Sequence, residues 1–252
     1  METVSVWTVF IASSITAIAT GLGALPFLFV KDIDKKWLGI GNALAAGLML
    51  GASIGLIIEA VQIDNVETPI IKLIIGMGIG LVLVLLAQNL FSHQDEDFHI
   101  GKVQGADAVS MLLIVGVMTV HSFAEGIGVG VSWGDGTGFG SLISAAIAIH
   151  NIPEGLAISL VLIPRGTSVW KAAGWSIFSS LPQPIMAIPA FLFVLVFRPF
   201  LPIGLGLAAG AMIWMVFEEL LPEALEDQPQ VTVYATMTLA VIGMLAFQFT
   251  IG

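Results

Sequence analysis

The chain has 252 residues, 57% apolar and 10% charged, with a formal net charge of −10 from 18 acids and 8 bases. The charged share is far below the roughly 25% of a soluble domain, and a mean hydropathy of +1.01 excludes a water-soluble globule, which could not hide that much apolar surface. So few Lys and Arg exclude a nucleic-acid partner, and the lack of cysteine removes disulfides, thiolate metal ligands and cysteine nucleophiles.

A helix needs about 20 apolar residues to cross the hydrocarbon core. The long Ile, Leu, Val, Ala and Gly runs show none of the alternation of a β-barrel. Cutting the chain at charged and Pro/Gly-rich breaks therefore predicts an all-α membrane protein, a bundle of eight transmembrane helices in a single domain over residues 1–252.

Span 1, about 5–30, has no basic region ahead of it and is longer than a signal-peptide core, so a retained helix is expected. Span 2, about 38–60, carries Gly47, Gly51, Gly55, Met49 and, at its end, Glu59. Met49 can offer a thioether to a metal, although most methionines in such a chain are packing. The acidic loop Gln62–Glu67 leads to span 3, about 69–91, with Gly76 and Gly80. The longest polar break, Ser92–Lys102, holds His93, Asp95, Glu96, Asp97 and His99; it reads as a solvated charged loop, with weak metal binding as the alternative.

Spans 4 and 5, about 106–131 and 139–163, carry the motifs His121-Ser-Phe-Ala-Glu125-Gly126 and His150-Asn-Ile-Pro-Glu154-Gly155, offset by 29 residues. Positions i and i+4 share a helix face, so each imidazole projects with its carboxylate. The turn Ser132–Gly138 joining the spans predicts adjacent antiparallel helices. Counting back from its middle puts His121 and His150 at nearly equal depth, roughly 20 Å in at 1.5 Å per residue. Ionisable groups in a bilayer core are expensive and mark functional pathways. Imidazole with carboxylate suits a divalent cation, and two carboxylates neutralise one such ion. Ser122 and Asn151 add neutral oxygens, and both glutamates can bridge two ions. The bland alternative is that the four groups merely satisfy one another. Pro153 leaves the Ile149 carbonyl without its helical partner, a packing kink or a transporter-type break.

Span 6, about 168–192, contains Ser179-Ser-Leu-Pro182-Gln183-Pro184, a locally unwound polar patch in which Gln183 is either an oxygen ligand or bonded to freed carbonyls. Span 7, about 202–224, carries Gly206 and Gly210 and ends in Glu218-Glu219-Leu-Leu-Pro-Glu223; its acids are either interfacial or receive an ion leaving the centre. Span 8 covers about 231–251. With both termini outside, six Lys/Arg fall on the cytoplasmic side and two, Lys72 and Arg198, on the outer side, as the positive-inside rule favours. The small residues at four-residue spacing, with Gly126 and Gly130 of span 4, permit close helix approach or sliding.

The paired motif in neighbouring spans closely resembles the signature of ZIP-family divalent metal transporters, and the resemblance extends over all eight spans, the His-bearing loop and the end of span 7. It looks most like the prokaryotic-type branch, with related organellar members. It implies movement of Zn²⁺ or a related ion such as Fe²⁺, Mn²⁺ or Cd²⁺ into the cytoplasm. It maps a central binuclear site onto His121, Ser122, Glu125, His150, Asn151 and Glu154, with Met49 lining it. Gln183 stands where a glutamate is usual, Ala124 where a proline is common, and Glu218 and Glu219 where the exit side has a His-Glu pair. Spans 1, 4, 5 and 6 would move as a unit against 2, 3, 7 and 8.

The metal is expected as cargo, with no cofactor. The expected partners are divalent ions and the lipid bilayer, with a homodimer left open. The expected location is a multi-pass position in the cell (inner) membrane, or else an organellar membrane. No G-x-x-x-x-G-K-[ST] occurs to energise transport with nucleotide. The competing functions are an intramembrane metal-dependent hydrolase or protease, against which the absence of H-E-x-x-H counts, and an ion or proton channel. No enzymatic activity is expected.

Overall fold

The apolar runs are helices in the computed structural model, which describes residues 4–29, 34–63, 66–91, 99–100, 103–104, 106–134 and 136–251. Helix α1 (Val6–Thr20) starts at Ser5, whose Oγ accepts the Thr8 N–H at 3.1 Å, and tightens into a 3₁₀ segment, Gly21–Leu28. It is followed by α2 (Lys35–Gln62) and α3 (Pro69–Phe91). A pair of two-residue antiparallel strands, β1 (His99–Ile100) and β2 (Val103–Gln104), precedes α4 (Ala106–Gly134). The remaining helices are α5 (Thr137–Leu162), α6 (Val169–Ser180), α7 (Pro182–Leu192), the short α8 (Val194–Phe197), α9 (Leu201–Met215), α10 (Leu221–Asp227) and α11 (Gln230–Ile251). A π-helical turn, Val216–Leu220, joins α9 to α10. The acidic and histidine stretch at residues 92–98 lies outside the described residues.

Among the described residues, seven helical stretches are long and apolar enough to cross a membrane. The eighth expected span is the α6–α7 pair, which breaks at Leu181. The cause is local: Pro182 and Pro184 have no N–H for the preceding turn, and Leu181 N–H bonds the Phe178 carbonyl at 3.2 Å instead. By contrast, α5 continues unbroken through Pro153, and α4 through Ala124. The turn between α4 and α5 is shorter than the sequence suggested. Helix α4 continues to Gly134 because Trp133 packs its ring over Gly140 and donates its Nε1–H to Ser144 Oγ at 2.9 Å.

Glycines sort the helices into two groups. Gly76 and Gly80 of α3 meet the carbonyls of Ile203 and Leu207 in α9, and Gly206 and Gly210 return the contact to Leu73 and Met77. Gly47 and Gly51 of α2 seat α11 at Met237 and Met244. In the other group Gly155 of α5 lies on the Thr20 carbonyl of α1, while Gly126 and Gly130 of α4 lie on the backbones of Gln183 and Ala187 in α7. A Cβ at any of these positions would collide with its neighbour, so only glycine permits such backbone approach. The two groups are α1, α4, α5, α6–α7 and α2, α3, α9–α10, α11.

Between the groups the nearest glycine contacts are to side chains: Gly41 of α2 faces Leu160 of α5, and Gly204 of α9 faces the Cβ of Ala124 at 3.5 Å. Of the two readings of the α2 glycine ladder, close approach or sliding, the structure shows close approach: Gly47 and Gly51 lie against α11. A polar clasp also crosses the boundary. Arg165, just past α5, pairs with Glu223 of α10 at 2.8 Å, and Asn42 of α2 donates to the same carboxylate at 3.1 Å.

Val4 packs near Trp133 at the end of α4, and Gln248 of α11 shares a cavity with Ser132. Both chain ends therefore lie on one face of the bundle. Helices α3 and α11 are the outermost, with Ile74 and Leu239 among their exposed apolar side chains, a surface suited to lipid.

Candidate metal centre

Helices α4 and α5 bring the two motifs together. The rings of His121 and His150 lie 5.8 Å apart, edge to face, so the two imidazoles share one depth. His121 Nε2 is 2.7 Å from Glu154 Oε1 on the opposite helix and 3.4 Å from Glu125 Oε1 one turn along its own. Glu125 Oε1 in turn lies 3.6 Å from His150 Nδ1. His121, His150 and Glu154 each present a ligand atom within 4.8 Å of the others.

All four groups are buried, none more than 5% exposed. Yet His121 Nε2, His150 Nε2, Glu125 Oε1 and both Glu154 oxygens lack a hydrogen-bond partner among the described residues. The short approaches above thus do not have hydrogen-bond geometry. Buried polar atoms are nearly always satisfied, so this concentration of orphaned nitrogens and oxygens argues against mutual satisfaction as their purpose. Those of His121, His150 and Glu154 lie close enough together that they could hold a metal ion. No ion pair joins Glu125 or Glu154 to a Lys or Arg among the described residues. With neutral imidazoles the cluster carries two negative charges, which a single divalent cation offsets.

The surrounding polar shell comes from α1 and α7. Gln183 donates its Nε2–H to Glu125 Oε2 at 2.6 Å and accepts at Oε1 from Thr16 Oγ1 at 2.5 Å and Asn151 Nδ2 at 3.2 Å. Asn151 also donates to the Thr16 carbonyl at 2.7 Å. Gln183 therefore faces the cluster with its N–H and holds Glu125 in place. Its oxygen faces α1. The break at Leu181 is what sets this side chain beside Glu125, and Gly126 lets α7 approach closely enough.

Ser122 Oγ and Asn151 Oδ1, each next in sequence to a cluster histidine, are buried without partners among the described residues. Met49 is fully buried on α2, in the same core cluster as Ala124 and Ala157. Glu218 and Glu219 are not in the cluster; they sit in the π turn, Glu218 exposed and Glu219 half-buried. Thr16 was not singled out from the sequence. Its signal is the Ser13, Thr16 and Thr20 series on one face of an apolar helix, all three fully buried; Thr20 bonds Ser180 at 2.7 Å.

Apolar helices of membrane-spanning length around a buried His/Glu donor set define a polytopic membrane protein with a candidate cation site at its centre. Sequence comparison carries this further. The family model described as ZIP Zinc transporter matches residues 86–249, and the chain belongs to that family. It is 44% identical over 245 residues to the Arabidopsis thaliana protein named "Putative zinc transporter At3g08650", covering 96% of this chain and 39% of that one. It is 31% identical over 222 residues to the zinc transporter GufA of Myxococcus xanthus, covering 85% of this chain and 87% of GufA. A third relative is the zinc transporter ZIPB of Bordetella bronchiseptica, 32% identical over 242 residues, covering 90% of this chain and 74% of that one. The chain thus spans well under half of its Arabidopsis relative and most of its bacterial ones.

Proposed function

We propose that this protein transports Zn²⁺ or a closely related divalent cation across a membrane, holding it between α4 and α5 on His121, Glu125, His150 and Glu154. The observation that carries the reading is the set of buried, partnerless ligand atoms on these four side chains. Imidazole nitrogen with carboxylate oxygen suits zinc and neighbouring transition metals better than calcium or magnesium, which prefer oxygen alone. Ser122, Asn151 and Met49 are supplementary donors, Gln183 positions Glu125, and Glu218 and Glu219 stand further along the path. The lysine and arginine distribution supports movement from the face with the termini into the cytoplasm of a cell membrane. The metal is cargo, and no chemistry is performed on it.

A channel would need a water path through the centre, whereas the four ligands are exposed by 5% or less; this favours saturable carriage. A hydrolase of the zinc-protease kind would carry H-E-x-x-H, whereas both motifs here are H-x-x-x-E. Radioactive zinc uptake by cells expressing the full chain tests the proposal. Saturable uptake is expected, abolished in Glu125→Ala and in Glu154→Ala with the protein still folded in the membrane. Undiminished uptake in both variants would sink it.

A further inference from the structure

The paired motif repeats its glutamate, but the two copies stand in different surroundings. Both oxygens of Glu154 are buried and without a hydrogen-bond partner among the described residues. Glu125 has only Oε1 in that state. Its Oε2 accepts the Gln183 Nε2–H at 2.6 Å, a short, charge-assisted bond of the stronger kind. Oε1 is the oxygen turned to the imidazoles, 3.4 Å from His121 Nε2 and 3.6 Å from His150 Nδ1. One motif thus presents a whole carboxylate to the centre, and the other presents half of one.

The direction of the Gln183 amide is set from α1. The Thr16 carbonyl can only accept, so Asn151 meets it with Nδ2, at 2.7 Å. The same Nδ2 lies 3.2 Å from Gln183 and can only donate, so Gln183 answers with its oxygen. The Thr16 hydroxyl, shared with the Ser13 carbonyl at 2.7 Å, lies on that oxygen too, at 2.5 Å. The amide N–H is left facing Glu125, whose carboxylate only accepts. Thr16, Asn151 and Gln183 are fully buried, so solvent does not compete for these bonds. Gly126, beside Glu125, lies on the Gln183 backbone, which keeps the donor close.

We infer that Gln183, oriented through Asn151 and Thr16, determines which metal the centre prefers: by holding one oxygen of Glu125 it confines that carboxylate to a single metal bond. Zinc is served by about four ligands, imidazole nitrogen among them. Two imidazoles with one oxygen from each glutamate supply that number. Manganese(II) takes about six ligands, mostly oxygen. It would gain from the second Glu125 oxygen, which Gln183 withholds. Zinc would gain nothing from it and would lose a carboxylate held in position. This inference rests on the transport reading, whose four ligands it takes over, and adds the ground on which they choose between ions.

The test is binding, measured by titration calorimetry of the purified full chain with zinc and with manganese(II). Gln183→Met keeps the bulk and removes the N–H. It is expected to lower the ratio of the manganese to the zinc dissociation constant roughly tenfold, the lower end for losing a bond that orients a metal ligand. Thr16→Val removes the hydroxyl from the Gln183 oxygen and should lower the ratio about threefold, a part of that effect. Thr16→Ser keeps the hydroxyl and should keep the wild-type ratio; this pair serves if Gln183→Met fails to fold. A merely structural role would weaken both metals alike and leave the ratio where it was. An unchanged ratio in Gln183→Met, or in Thr16→Val where that pair is used, overturns the inference, and zinc binding by the wild-type chain then leaves the transport reading standing. No zinc binding by the wild-type chain takes down both.

Discussion

Gln183 turns its N–H toward Glu125 and its carbonyl toward α1, so at the scale of single residues this amide decides what the centre is. A carboxylate there would add a charge to the two already present; the amide instead bonds Glu125 and leaves the proposed donor set at two imidazoles and two carboxylates. Both ligand types bind metal only when unprotonated. Cation affinity should therefore fall on acidification, as protons compete for these ligands. Zinc titration of the purified protein from pH 8 to 5 checks this, and a flat isotherm removes His121 and His150 from the site. The His and Glu positions were legible because the four-residue spacing is a property of one helix. The orientation of Gln183 was not. It depends on Thr16 and Asn151, and the Thr16 partner is 167 residues away, a distance no local pattern spans.

At the scale of elements, glycine is the determinant of helix spacing. Gly155 of α5 lies directly on the Thr20 carbonyl of α1, so Gly155→Ala must push α1 and α5 apart and shift Glu154, its neighbour. Overpacking of this kind costs about 1–3 kcal/mol. Gly116→Ala is its control: no atom lies within 4 Å of a Cβ built there. Thermal unfolding in detergent should show a clear loss for the first and none for the second; equal melting would refute the assignment of α1–α5 contact to Gly155. The spans themselves were readable from hydropathy to within a few residues. The broken α6–α7 was readable from its prolines. The partner of each glycine face was not, because small residues at four-residue spacing mark close approach without naming the neighbour; the α2 ladder's neighbour is α11.

At the scale of the whole molecule, backbone-to-backbone glycine seams hold each helix group together, whereas side chains and the Arg165–Glu223–Asn42 clasp join one group to the other. Relative motion of the groups therefore leaves these backbone seams intact. Since the chain has no cysteine, Gly41→Cys with Leu160→Cys places a unique thiol pair across that boundary, where a Cβ on residue 41 would touch the Leu160 side chain. Bridging the pair with a short bifunctional thiol reagent should stop zinc uptake while zinc binding persists, and reduction should restore uptake. Continued uptake by the bridged protein would mean that the groups need not move.

The amide at Gln183 has an electrical consequence. Two carboxylates and one divalent ion sum to zero, so on the proposed transport reading a cluster that crosses with its cargo would not feel the membrane potential. The empty cluster returns either as two negative charges, each worth about 2.3 kcal/mol per 100 mV, or with two protons in their place. Voltage sensitivity on this reading belongs to the unloaded step if the cluster returns with two negative charges, and to neither step if it returns with two protons, so the response of uptake to membrane potential distinguishes the two.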